Sequence, residues 1–122
     1  MKEITAIIRT NRIQKTKEAL VEAGYPSMTV KEVLGRGKQR GLQQEFCLDI
    51  PEPDDGELLP RISFIPKRLL TLVVDDEDVD SLVVLITKAN QTGSVGDGKI
   101  IVSPVSDAVR VRTSEAGHVA LS

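Results

Sequence analysis

Three stretches of this 122-residue chain combine residue types that suit an anionic ligand. The first, Gly35-Arg36-Gly37-Lys38-Gln39-Arg40-Gly41, interleaves three cations with three glycines. Glycine lets the backbone approach a ligand closely, and the cations supply charge. The second, Gly93-Ser94-Val95-Gly96-Asp97-Gly98-Lys99, keeps the spacing of a phosphate-binding P-loop as far as its lysine. It then departs, because Ile100 stands where Ser or Thr would ligate magnesium. It is also expected to lead from a helix into a strand, the reverse of P-loop order. A nest of backbone N–H groups with Lys99 as a point charge is still suited to phosphate. The third is Arg110-Val111-Arg112-Thr113. In a strand, residues two apart project to one side, so the two guanidiniums would form a pair fitted to a polyphosphate. Taken singly, each stretch is equally an ordinary turn, a flexible connection or a solvated edge strand. Together they favour binding of an anion.

Turnover is a poorer expectation than binding. The chain has one histidine, His118, and one cysteine, Cys47, so no internal disulfide or cysteine-based zinc cage can be drawn and most hydrolytic constellations cannot be assembled. Sixteen Lys and Arg against eighteen Asp and Glu give a net charge of −2, which argues against general nucleic-acid binding. Tyr25, Phe46 and Phe64 are the only aromatics, too few for a base-stacking platform. No apolar run is long enough for a bilayer, and Met1-Lys2-Glu3-Ile4 leads straight into patterned sequence, so the cytoplasm is the expected compartment.

The elements that must position these stretches follow from hydrophobic period. KEITAIIR at 2–9 reads as a buried strand. Asn11 is placed to cap a helix with Ile13, Leu20 and Ala23 inward, and Gly24 and Pro26 end it. Residues 28–34 read as a second strand and 68–74 (RLLTLVV) as a third. Asp75 to Asp78 suit a helix N-terminus, ahead of Val79, Leu82, Val83, Ile86 and Ala89 at helical spacing. Residues 99–105 (KIIVSPV) form a fourth strand and 109–112 a short fifth. The order β-α-β, β-α-β predicts an α+β, ferredoxin-like domain, an antiparallel sheet with both helices on one face. RLLTLVV and KIIVSPV look apolar on both sides, so the second face is expected to be covered by oligomerisation.

Between the second and third strands, residues 35–67 show no sustained period. From Leu42 to Pro60 they hold six acids and no Lys or Arg. A segment this long in a compact domain is either a partner-binding loop or a solvated acidic loop.

The chain resembles the PII nitrogen-regulatory signal-transduction proteins along nearly its whole length. The resemblance is carried by KEITAIIR, SMTV at 27–30, GRGKQRG at 35–41, FIPKR at 64–68, QTGSVGDGKIIV at 91–102 and RVRT at 110–113. It implies one domain over 1–122 with a T-loop at about 35–67, a B-loop at about 91–99 and a C-terminal segment at about 106–122. It also implies a homotrimer of ferredoxin-like subunits with ATP or ADP between them, and Mg-ATP assisting capture of 2-oxoglutarate. By position, Thr29, Gly35, Gly37, Lys38 and Val73 would line the nucleotide cleft, with Val73 meeting the adenine. Gly96, Asp97, Gly98 and Lys99 would hold phosphates, and Arg110 and Arg112 would reach them from the neighbouring subunit. Gln39 would ligate Mg2+ and, with Gly41 and Lys67, contact 2-oxoglutarate.

Ser94 replaces the usual basic residue of the B-loop, the T-loop is longer by about nine residues, and Tyr25 is the only tyrosine, so the tip uridylylation site of many bacterial members is missing. The loop flanks are most similar to the NifI branch, encoded with nitrogenase. The implied function is a non-enzymatic regulator that senses ATP or ADP and 2-oxoglutarate and controls nitrogenase through its T-loop. Its partner would be a nitrogenase component or a related regulatory subunit, the latter in a mixed oligomer. The alternatives are an ordinary PII acting on an ammonium transporter or a biosynthetic enzyme, a small nucleotide-hydrolysing enzyme, and a trimeric divalent-metal protein.

Overall fold

In the computed structural model, residues 1–36 and 64–121 are described. The expected order appears as β1 Lys2–Arg9, α1 Ile13–Glu22, β2 Thr29–Gly35, β3 Ile65–Val74, α2 Val79–Asn90 and β4 Gly98–Pro104. The four strands form one antiparallel sheet in the order β2-β3-β1-β4, the ferredoxin-like arrangement.

Alternation in the strands sorts the two faces. Ile4, Ala6 and Ile8 of β1 and Leu70, Leu72 and Val74 of β3 are buried with Leu20 of α1 and Leu82 and Ile86 of α2. The sheet's opposite face carries Glu3, Thr5 and Ile7 opposite Val73, Thr71 and Leu69. That face is half-buried on β3, and Ile101 of β4 is 44% exposed. The single chain thus leaves the second side of RLLTLVV and KIIVSPV partly open, although both sides read as apolar.

The first helix begins differently from expectation. Asn11 lies exposed in a 3-10 turn, Thr10–Arg12, and Arg12 precedes the helix without a side-chain cap. The Thr10 hydroxyl instead donates to the Pro66 carbonyl at 3.2 Å, tying the turn to β3. The far end follows the sequence closely. Gly24 has φ +95°, Tyr25 N–H donates to Leu20 C=O at 2.9 Å, and Gly24 N–H donates to Val21 C=O at 3.0 Å. This is a Schellman cap, with Tyr25 packing back on the core above Leu20. Ala23 is exposed; the inward position belongs to Thr16.

Thr16 joins the helices through a buried polar contact. Asn90 donates from Nδ2 to Thr16 Oγ1 at 3.0 Å and to Ile86 C=O at 2.9 Å, and Thr16 donates to Arg12 C=O at 2.8 Å. A buried amide left without such partners is costly.

The fifth strand is absent from the described residues. Val109 makes one isolated bridge to Ala116, and residues 111–113 form a turn. The sequence 107–117 closes on itself instead of joining the sheet, through Ser114 N–H to Arg110 C=O at 2.7 Å, Arg110 N–H to Glu115 C=O at 2.8 Å and Gly117 N–H to Ala108 C=O at 3.0 Å. Arg110 and Arg112 therefore lack the side-by-side placement that a strand would give them.

Thr16→Val, nearly isosteric, removes the acceptor of Asn90. It should lower unfolding free energy by about 1–3 kcal/mol, the cost of an unsatisfied buried group, whereas Thr16→Ser should lose less. Urea unfolding at one fixed protein concentration checks both.

Candidate functional site

The residues singled out in the sequence fall into two groups at opposite ends of the sheet. β4 enters at Gly98 opposite Ile8 and leaves at Pro104 opposite Lys2. At about 3.3 Å per residue the two ends lie roughly 20 Å apart.

The first group is built around the connection from α2 to β4. Asp97 organises it from inside. Its carboxylate accepts the Thr92 N–H at 2.7 Å, the Gly93 N–H at 2.9 Å and the Thr92 hydroxyl, and Arg9 Nη2 lies 3.5 Å away. Burial pushes this carboxyl up, but the Thr92 hydroxyl, the two amides and Arg9 outweigh it and hold it at about 2. The nest expected to cradle phosphate therefore already holds an anion, the loop's own side chain. Asp97 shapes the loop from within.

Two cations reach this loop from the sheet. Arg9, at the end of β1, donates to Val95 C=O at 3.0 Å. Lys67 of β3 is 8% exposed and donates from Nζ to Gly96 C=O at 2.9 Å. Burial pulls the Lys67 ammonium below its ordinary range, the Arg9 guanidinium adds to this, and Asp97 opposes it. Gly35, paired with Ile65, sits over the Lys67 stem. Lys67, Gly35, Gly96, Asp97 and Gly98 thus converge, with Lys99 next along β4 opposite Ile7. Alongside, Ile8, Val83, Ile86, Asn90, Asp97 and Lys99 line part of a cleft of about 350 Å³ between α2 and β4.

Gly98 is required by its backbone. Its φ is +122°, and a Cβ there would stand 2.2 Å from the Ile7 carbonyl oxygen. β4 can leave the loop and pair with β1 only with glycine at this point.

The second group contains Thr29, Val73, Arg110 and Arg112. Thr29 is exposed opposite Thr71, and Val73 is half-buried opposite Glu3, both on the helix-free face. Val105 N–H donates to Met1 C=O at 3.1 Å, which brings the C-terminal segment to this end. Arg110 pairs with Glu115 at 2.5 Å and donates to Val119 C=O at 2.6 Å, and Arg112 is exposed. The Thr113 hydroxyl lowers the Glu115 carboxyl's pKa; burial opposes this and Arg110 adds to it. The four remaining positions singled out, Gly37, Lys38, Gln39 and Gly41, lie outside the described residues.

Arg9 and Thr92 were missed by motif reading. Arg9 closes a stretch read only as a strand and Thr92 stands just ahead of the glycine-rich stretch, and only long-range pairing brings Arg9, 88 positions before Asp97, to that carboxylate. No helix among the described residues is long and apolar enough to cross a membrane.

Two predictions test this geometry. Gly98→Ala should destabilise the chain by at least about 1–3 kcal/mol, the cost of a strained backbone, seen as a lower urea midpoint. The second concerns acid. The Asp97 carboxyl is held at about 2 against an ordinary 3.8, so its contribution is complete above about pH 4 and disappears as pH falls toward 2. Asp97→Asn should flatten the stability profile in that window and leave less stability at pH 7.

Comparison with known proteins agrees with this architecture. The family described as Nitrogen regulatory protein P-II matches residues 1–115. The chain is 50% identical over 121 residues to "Nitrogen fixation nifHD region GlnB-like protein 2" of Methanobacterium ivanovii, covering 99% of each. It is 46% identical over 121 residues to "Nitrogen regulatory protein P-II 2" of Methanothermobacter thermautotrophicus, covering 99% of this chain and 97% of that one. Among solved structures it is similar to Arabidopsis thaliana PII bound to citrate, with TM-score 0.73 and 33% identity over 98% of this chain and 88% of that chain. A sheet ordered β2-β3-β1-β4, relatives at 46–50% identity over nearly the whole chain and a family match running almost end to end make this chain a member of the P-II nitrogen regulatory protein family.

Proposed function

We propose that this protein is an adenine-nucleotide and 2-oxoglutarate sensor that controls nitrogenase by contact through residues 35–67. The observation that carries the nucleotide part is the division of the anion-suited residues into two half-sites at opposite ends of one sheet. One chain cannot close them on a single ligand. A cyclic trimer can, because a head-to-tail interface sets one end of each subunit against the other end of its neighbour. On this reading Gly35, Gly96, Gly98 and Lys99 of one subunit, with Gly37 and Lys38, meet Thr29, Val73, Arg110 and Arg112 of the next around ATP or ADP. Asp97 keeps the loop in shape.

Mg2+ would be ligated at Gln39 and would bridge the nucleotide to 2-oxoglutarate, held also by Gly41 and Lys67. Lys67 suits a dicarboxylate, since its ammonium is buried and donates to the Gly96 carbonyl. A carboxylate arriving there would compete with Gly96 for that cation. Effector binding and B-loop position are coupled through one side chain.

The nitrogenase assignment is supported by relatives named for the nitrogen fixation nifHD region. The acidic stretch Glu45 to Glu57 would be the contact, with ADP favouring binding and Mg-ATP plus 2-oxoglutarate favouring release. The P-II 2 relative of Methanothermobacter thermautotrophicus favours a second reading, an ordinary PII acting on a transporter or biosynthetic enzyme.

Pull-down from nitrogen-fixing extract, with ADP or with Mg-ATP and 2-oxoglutarate, decides between them. A nitrogenase component should be captured with ADP and lost with the other pair; a transporter or another enzyme in its place selects the second reading. Arg110→Ala should weaken ATP by about 1.5–3 kcal/mol in calorimetry, the range for hydrogen bonds to a charged group. Unchanged affinity would remove the assigned half-site.

A further inference from the structure

The segment that carries Arg110 and Arg112 is a folded unit with its own internal bonds. Asp107 Oδ1 accepts Ala108 N–H at 2.8 Å and Gly117 N–H at 3.1 Å. Glu115 holds Arg110 and accepts the Thr113 hydroxyl at 2.7 Å, while Arg110 also reaches the Val119 carbonyl. These contacts fix the Arg110 guanidinium within the unit and close the backbone that carries Arg112, and leave open how the unit is held against the body.

His118 makes one such attachment. It stands in the closing 3-10 turn, Gly117–Leu121, and its Nδ1 is hydrogen-bonded to Asp75 Oδ1. Asp75 immediately follows β3 and opens the 3-10 turn Asp76–Asp78 that leads into α2. It is two residues beyond Val73, which stands in the sheet opposite Glu3. Tyr25, whose ring packs on the core, lies near the same corner. The contact thus joins an arginine-bearing unit to the corner where β3 turns toward α2.

We propose that His118 and Asp75 form a positioning pair that sets the Arg110–Arg112 unit beside Val73 for nucleotide binding. Neither side chain touches the ligand. The pair acts through the 3-10 turn, which includes Val119, whose carbonyl holds the Arg110 guanidinium. Pre-placing the arginines spares a bound nucleotide the entropy of ordering them. This rests on the nucleotide reading above and adds to it the residues that hold half of the site.

The test is ATP calorimetry on the assembled protein, with Arg110→Ala measured in parallel. His118→Leu and Asp75→Ala should each lower ATP affinity about three- to tenfold, and the double variant should be no worse than either. His118→Asn keeps an N–H donor near the Nδ1 position and should restore affinity to within about twofold. Oligomer mass and thermal midpoint are measured for each. His118→Leu at wild-type affinity beside a weakened Arg110→Ala would overturn the positioning pair and leave the nucleotide reading standing. So would an Asn variant as weak as the Leu variant, or losses in the two single variants that add. Unchanged affinity in Arg110→Ala would overturn both. Should His118→Leu fail to assemble, His118→Asn against Asp75→Ala carries the same comparison.

Discussion

A buried ammonium cannot stand alone, and Lys67 meets that demand by holding the Gly96 carbonyl at 2.9 Å. The bond spans 29 positions and fixes the glycine-rich loop over the end of β3. Arg9 reinforces it from β1 through Val95 and Asp97. Two strands and one loop therefore share a single electrostatic junction. Gly98 makes the junction compatible with the sheet, since only glycine leaves room for Ile7 where β4 begins.

The same junction lies where β2 ends and β3 begins. Gly35 pairs with Ile65 and packs on the Lys67 stem, so the two ends of the long connection are held together by sheet pairing and by the cation. A ligand that alters the Lys67 bond acts on the loop above it and the connection beside it at once. At the sheet's other end, the Asp75 corner organises the arginine-bearing segment through a second set of contacts. One subunit thus offers two unlike surfaces, as heterologous closure into a ring requires.

Much of the fold was legible in the residues. β1 was bounded at both ends by hydrophobic pattern alone, and Gly24 marked its helix cap because a left-handed turn there needs glycine. The βαβ-βαβ order followed from short apolar runs alternating with stretches of helical period. What failed did so for local reasons. Asn11 lost its capping role when Thr10 turned to Pro66, and Ala23 gave its inward place to Thr16, whose hydroxyl serves both Arg12 and Asn90. RVRT has a strand's composition, but hydrogen bonds among Arg110, Ser114 and Glu115 close it into a turn.

By itself the sequence determined the family, the element order and the residue types suited to an anion, because motif spacing and hydrophobic period are properties of the chain. Tertiary structure alone decided which of those residues come close to one another. It turned Asp97 inward to shape the loop, brought Arg9 across the sheet to it, and placed Lys99 and Arg110 at opposite ends of β4. Such pairings depend on strand register and on which polar groups burial forces to find partners, and neither is written in any short stretch of sequence.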